Sequence, residues 1–226
     1  MDNDLELAAC IPHPIHSDGF NVTAELPYGL TVKQVGQAMQ EFNDFLGFIN
    51  QQLHTKEIPR LESMLMPANF SSMVGEFMNA SIPKYCPTLV KNHYHNGHPD
   101  LIPAGTFLND AVQHANQGIE IKASRYITRW QGHNPEDTWL MVFVFDSSRP
   151  RDVASGIAPK SFRFVMVAGA RLTRDDWVFA GRSETSRRTI TASVTTEASA
   201  RMKANWIYKD TCNQSANSVS KTPFSG

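Results

Sequence analysis

At 226 residues and 41% hydrophobic content the chain can build one domain with a sizeable core. A formal net charge of −1 excludes capture of polyanions by overall charge alone, and no apolar run reaches the roughly eighteen residues of a membrane helix. The cysteines, Cys10, Cys86 and Cys212, are far apart and form neither a CxxC pair nor a disulfide framework. The start, Met1-Asp2-Asn3-Asp4-Leu5-Glu6, is acidic and lacks the pattern of a signal peptide, so a reducing cytoplasm is the expected setting.

In chain order, residues 1–30 are expected to be irregular, because Pro12, Pro14, Gly19, Pro27 and Gly29 break any period. Thr31 then opens a helix in which Val32, Val35, Met39, Phe42, Leu46, Ile49 and Leu53 recur at three- and four-residue spacing, until Pro59 ends the pattern. A second helix is expected over about 72–80, capped by Ser71 or Ser72, with Met73 and Phe77 inward and Glu76 projecting; Pro83 and Pro87 end it. Leu89 to Tyr94 alternates enough for a strand leading into a turn at Pro99-Asp100. Residues 103–117 form a polar connector with a short helical turn near 109–115. Gly118 precedes a strand in which Ile119 and Ile121 alternate with Glu120 and Lys122, and Gln131-Gly132-His133-Asn134-Pro135 makes a turn. The unbroken apolar run Trp139–Phe145 predicts a strand buried on both faces, and another strand is expected over 161–170. Beyond Ala170 the chain becomes rich in Arg, Ser and Thr, and residues 211–226 form a loose tail. There is no internal repeat.

Charge is unevenly spread. Residues 1–100 carry five Lys/Arg against eleven Asp/Glu, whereas residues 101–226 carry sixteen against eleven. Such a split suits a molecule with one basic face.

The chemistry concentrates between His98 and Arg125. Asp100 follows a proline, and Glu120 and Lys122 stand at i and i+2, which on a strand puts both side chains on one face. Two converging carboxylates make a hard oxygen site suited to Mg²⁺, and a lysine beside them can polarise a water or a phosphate oxygen. The pattern Pro99-Asp100…Glu120-Ile121-Lys122 resembles the PD-(D/E)XK nuclease superfamily, and within it the type II restriction endonucleases. About twenty-five residues carry the likeness directly, supported by the gap length and by the apolar strand that follows.

The resemblance implies an α/β fold, with a central mixed β-sheet flanked by helices, restriction-endonuclease-like. It implies one nuclease domain over 1–226, with its catalytic and DNA-binding core at 31–210. Asp100 and Glu120, with the backbone carbonyl of Ile121, would hold one or two Mg²⁺, and Lys122 would orient or activate the attacking water. Ser124 and Arg125 would steady the phosphate, and Glu76 would stand near the metals. The implied reaction is hydrolysis of double-stranded DNA at a specific sequence, leaving a 5′-phosphate. A homodimer is expected, since a double-strand cut needs two active sites.

Base reading is expected from a segment between Arg182 and Lys209, where Arg182, Arg187, Arg188, Thr189, Thr191, Lys203 and Asn205 are polar groups of the kinds that pair with base edges. Three other readings compete: a repair or recombination nuclease of the same fold, a DNA-binding module without catalysis, and a zinc hydrolase. The last rests on the HxHxxH spacing of His93, His95 and His98, but Gly97 stands where that family has an aspartate and no histidine follows His133. No GxSxG, P-loop or GxGxxG motif is present.

Overall fold

The computed structural model describes residues 3–132, 134–180 and 191–211. Its helices are α1 (Asn3–Ala9), α2 (Val32–His54), α3 (Leu61–Met64), α4 (Pro67–Tyr85), α5 (Pro150–Ala154) and α6 (Thr196–Ala204). Its strands are β1 (Leu89–Lys91), β2 (Leu101–Pro103), β3 (Ile119–Ser124), β4 (Gln131–Gly132), β5 (Thr138–Asp146), β6 (Arg163–Leu172), β7 (Trp177–Ala180), β8 (Thr191–Val194) and β9 (Trp206–Lys209). The architecture is α/β, built on a six-stranded mixed sheet in the order β1-β2-β3-β5-β6-β9; a three-stranded antiparallel sheet, β4-β8-β7, lies beside it. Within the large sheet only β3 and β5 pair in parallel.

The apolar run of β5 is buried on both faces because two cores need it. Trp139, Met141, Phe143 and Phe145 pack under α2 and α4, against Val35, Met39, Phe42 and Leu46 of the former and Phe70, Val74, Met78 and Ile82 of the latter. Leu140, Val142 and Val144 face the other way, onto Met166, Trp130, Trp177 and Val194 and onto Ala198 and Met202 of α6. Each fully buried phenylalanine, such as Phe42, Phe143 and Phe145, contributes roughly 1.5–3 kcal/mol. Gly169 on β6 lies so close under the Trp139 ring that a Cβ there would sit 2.3 Å from it.

Local signals explain most boundaries. Thr31 caps α2 through a reciprocal pair, its hydroxyl accepting the Gln34 N–H at 3.3 Å while the Gln34 side chain accepts the Thr31 N–H at 2.9 Å. Two expectations need correction. The helix expected over 72–80 is α4, which runs from Pro67 to Tyr85: proline at the first helical position is preset for helix, and Pro83, so near the end, removes few bonds, with Cys86 still bonding Ile82 at 3.0 Å. The segment expected to be irregular opens with α1, whose first turn carries Asp4 and Glu6 and whose end is pinned by Arg60 through Glu6 at 2.9 Å and the Ala9 carbonyl at 3.3 Å. No helix among the described residues is long and apolar enough to cross a membrane.

Candidate active site

Asp100 closes the turn before β2, and Leu101 pairs with Ile119 antiparallel. Continuing that register sets Asp100 beside Glu120. The close approach of β2 and β3 depends on Gly118, whose φ of +140° and 2.2 Å virtual Cβ contact with the Leu101 carbonyl exclude any larger residue. Beyond this one pairing the β2 side of β3 is open, leaving a notch between β3 and α4. The turn before it is locked by Asn92, whose amide donates to the Pro99 and Val112 carbonyls at 3.1 and 2.8 Å and accepts from the Tyr94 and Val112 N–H groups at 3.1 and 3.0 Å.

The structure brings Asp100, Glu120 and Lys122 together here. Asp100 Oδ2 accepts the Ile121 N–H at 2.8 Å, and Asn79 of α4 bonds the same carboxyl. Glu120 and Lys122 form an ion pair, as their i, i+2 spacing on a strand requires. Glu120 Oε2 also meets His98 Nδ1 at 3.0 Å, and that nitrogen lies 3.3 Å from Glu136 Oε2. His98, Glu120 and Glu136 form the one group of side chains among the described residues whose candidate ligand atoms, all within 4.8 Å of one another, could jointly hold a metal ion. Asp100 is not in that group. The Nε2 of His98 is buried without a partner among the described residues, its ring stacked on His114 at 5.3 Å.

Electrostatics separate the two motif carboxyls. Burial, then the neighbouring Glu120 charge, pushes Asp100 up to about 7 against the opposing pull of Lys122, the Ile121 N–H and Asn79. Burial acts the same way on Glu120, but the His98 bond and the Lys122 charge outweigh it and hold that carboxyl at about 2. His98 and Lys122 are raised: burial alone would lower both, and the facing carboxylates override it, Glu120 foremost. Burial raises Glu136.

The notch is the middle of a longer groove. A cavity of about 270 Å³ is lined by Ser72, Gly75, Glu76, Asn79, Asp100 and Lys122 among others. Through Glu76, Asn79 and Asp100 it joins a second of about 420 Å³ bordered by Lys91 and the exposed turn of His93, Tyr94 and His95. Through Ser71, Lys122 and Ala123 it joins a third of about 380 Å³ at the opposite end of β3.

The remaining candidates fall in different places. Glu76 lines the groove but is exposed and paired with Lys91 at 3.0 Å. Ser124 Oγ accepts the Tyr126 N–H at 3.0 Å. Arg125 stacks on Phe145 and Phe70 and donates to the Ser147 carbonyl at 3.0 Å. Of the segment expected to read bases, Arg182, Arg187, Arg188 and Thr189 lie outside the described residues, and Thr191 opens β8. Lys203 sits over the Trp130 ring at 5.9 Å. Asn205 is committed to the scaffold, its amide donating to the Glu25 and Gly169 carbonyls at 2.9 and 2.8 Å and accepting the Glu25 N–H at 2.8 Å. His93 and His95 do not join His98 in a metal-capable group, and His133 lies outside the described residues.

Two participants were missed from sequence. Asn79 stands at i+3 from Glu76, on the same helical face, a spacing the sequence shows, whereas its burial is visible only in the fold. Glu136 is a loop carboxylate with no periodicity to mark it. In comparisons with known proteins, no family model, curated protein or solved structure matches the chain.

Proposed function

We propose that this protein is a metal-dependent phosphodiester hydrolase of the PD-(D/E)XK kind, acting on double-stranded DNA as a site-specific type II restriction endonuclease. The observation that carries the reading is the convergence of Asp100, Glu120 and Lys122 in the notch beside β3, with both carboxyls withdrawn from bulk solvent and the lysine ion-paired between them and the groove. The donor set suits Mg²⁺, because two carboxyls and a backbone carbonyl offer hard oxygen ligands beside a lysine. Asp100, Glu120 and the Ile121 carbonyl would hold it. When bound, such an ion lowers the pKa of a coordinated water and stabilises charge on a phosphate.

The chain's own residues supply the rest. Asn79 and the Ile121 N–H fix the Asp100 carboxyl in place. His98 and Lys122 each bond the Glu120 carboxylate, which restricts its rotation. Lys122, kept protonated by Glu120 and Asp100, presents positive charge to a phosphate in the groove and can orient a water beside it. A double-strand cut then calls for two copies, and a C₂ homodimer presents the site once to each strand.

The test is to incubate the purified protein with a sequenced phage genome and Mg²⁺ and then sequence the ends. Discrete fragments sharing one terminal sequence and bearing 5′-phosphates are expected. Smears would replace the site-specific reading with a repair or recombination nuclease, and intact DNA across Mg²⁺ and Mn²⁺ would overturn hydrolysis altogether. Sedimentation of the DNA complex is expected to give two chains per duplex, and a single chain cutting both strands together would refute the dimer.

A further inference from the structure

The groove is electrically lopsided. At the end of β3 away from Asp100 its lining includes Lys122, Arg125, Arg129, Arg149 and Arg151 and, among the described residues, no carboxylate. β3 and β5 run parallel, so their C-terminal ends emerge side by side, which is why Arg125 after β3 and Arg149 after β5 share one cleft with Pro67, Ala68 and Ser71 from the start of α4.

These cations are mostly not neutralised within the fold. Arg129 and Arg149 have no carboxylate within ion-pair distance among the described residues, and Arg151 reaches Asp152 only at 3.9 Å from an exposed position. Arg125 is held by carbonyls and aromatic rings, and its Nε is buried with no partner among the described residues. Burial and the nearby Arg149 charge make the Arg125 cation less favourable, outweighing the opposing pull of Asp146, Glu62 and Asp152. A net-positive array on a concave surface attracts an anion.

Two arginines elsewhere on the basic half are engaged within the fold. Arg171 donates to the Asn116 carbonyl at 2.7 Å, and Arg201 pairs with Asp176 at 2.7 Å. The cleft also opens directly into the Asp100–Lys122 notch, and the exposed Tyr126 stands on its lining, a ring on which a base can stack. A free anion would need neither feature, whereas a polymer would use both.

We infer that this arginine-lined arm holds the sugar–phosphate backbone of the nucleic-acid strand on one side of the bond to be cut. The inference rests on the hydrolase reading for the position of that bond, but binding in the arm does not require cleavage. It adds phosphate contacts at Arg129, Arg149 and Arg151 to the base reading expected of the segment after Arg182.

The experiment is anisotropy titration of a labelled duplex, and of its separate strand, with the full chain in EDTA across a salt series. Replacing Arg129→Gln and Arg149→Gln together should weaken binding alike for all sequences and lower the salt slope by about two, one for each phosphate no longer neutralised. Arg129→Lys with Arg149→Lys should restore the slope, and Arg174→Gln with Arg201→Gln should leave it unchanged. Inorganic phosphate should compete far less well than unlabelled strand. A glutamine variant with wild-type affinity and slope overturns the inference, as does wild-type protein that binds neither probe, or equal competition by phosphate. The two readings fail separately: a protein that binds with the predicted slope but never cuts keeps the arm and loses the hydrolase, and one that cuts with the slope unmoved by glutamine keeps the hydrolase and loses the arm.

Discussion

Replacing Asp100 by asparagine is expected to stabilise the metal-free protein while abolishing its activity. Asparagine keeps an oxygen to accept the Ile121 N–H, so the 2.8 Å bond survives, and its amide nitrogen can donate to Asn79 Oδ1, which is buried without a partner among the described residues. The rise of Asp100 from 3.8 to about 7 corresponds to about 4 kcal/mol at 1.36 kcal/mol per tenfold change in proton affinity. Asp100 keeps some solvent contact and shares the effect with Glu120, so roughly half, about 2 kcal/mol, is the expected gain. In a chain of this size that is about 4–8 °C in Tm. The sign follows from linkage: above pH 7 the wild type must keep a carboxylate ionised where burial and Glu120 oppose it, and asparagine need not. The gain shrinks as pH falls from about 7 and vanishes below about 3.8, where the carboxyl is protonated both folded and unfolded. Glu120→Gln should do the reverse, losing about 1–2 kcal/mol, because that carboxyl is held at about 2 against an ordinary 4.5 and roughly half of the effect is offset by the repulsion it lifts from Asp100; this stability is complete above pH 4.5 and lost as pH falls toward 2. Thermal melts in EDTA at pH 4 and pH 8 measure both variants. Added Mg²⁺ should raise the wild-type Tm and leave Asp100→Asn unmoved. An Asp100→Asn protein less stable than wild type at pH 8 in EDTA would refute the reasoning, since it would mean the native state favours the charge.

Asp100→Ala, Glu120→Ala and Lys122→Ala should each lower cleavage by at least ~10²-fold while DNA binding in Ca²⁺ persists, and normal cutting by any one would remove that residue from the chemistry. Glu62→Ala should cost about 3–5 kcal/mol by denaturant melting, because Arg60, buried with it and bonded at 2.6 Å, is left largely uncompensated; a cost below about 1 kcal/mol would show that Glu6 alone suffices. Gly169→Ala should cost roughly 1–3 kcal/mol, since its Cβ would meet Trp139 at 2.3 Å and the Leu140 carbonyl at 2.9 Å, and unchanged stability would mean the β5–β6 pair can spread.

Local patterns in the sequence already determine a good deal of this protein. The Thr31–Gln34 capping box, the apolar stripe of α2 and the continuous apolar run of β5 are statements about neighbouring residues, and the elements they imply are present. The Glu120–Lys122 pair was legible for the same reason, since strand geometry alone puts i and i+2 on one face. Tertiary structure decided what depends on distant chain segments. Pro67 as the start of α4 could not be weighed against Ser71 and Ser72 without knowing what the first turn packs against. Asn79 reaches Asp100 only because α4 lies along β3, and Glu136, two residues before β5, meets His98 only through the tertiary fold. The sequence places base reading where arginines are dense along the chain, from Arg182 onward, a stretch whose residues 182–190 lie outside the described residues. In space Arg125 and Arg149, which follow different strands, become neighbours because the parallel pairing of β3 with β5 brings two strand ends to the same edge of the sheet. Charge density along a chain is a one-dimensional quantity, while an anion responds to the three-dimensional field, and only the fold converts one into the other.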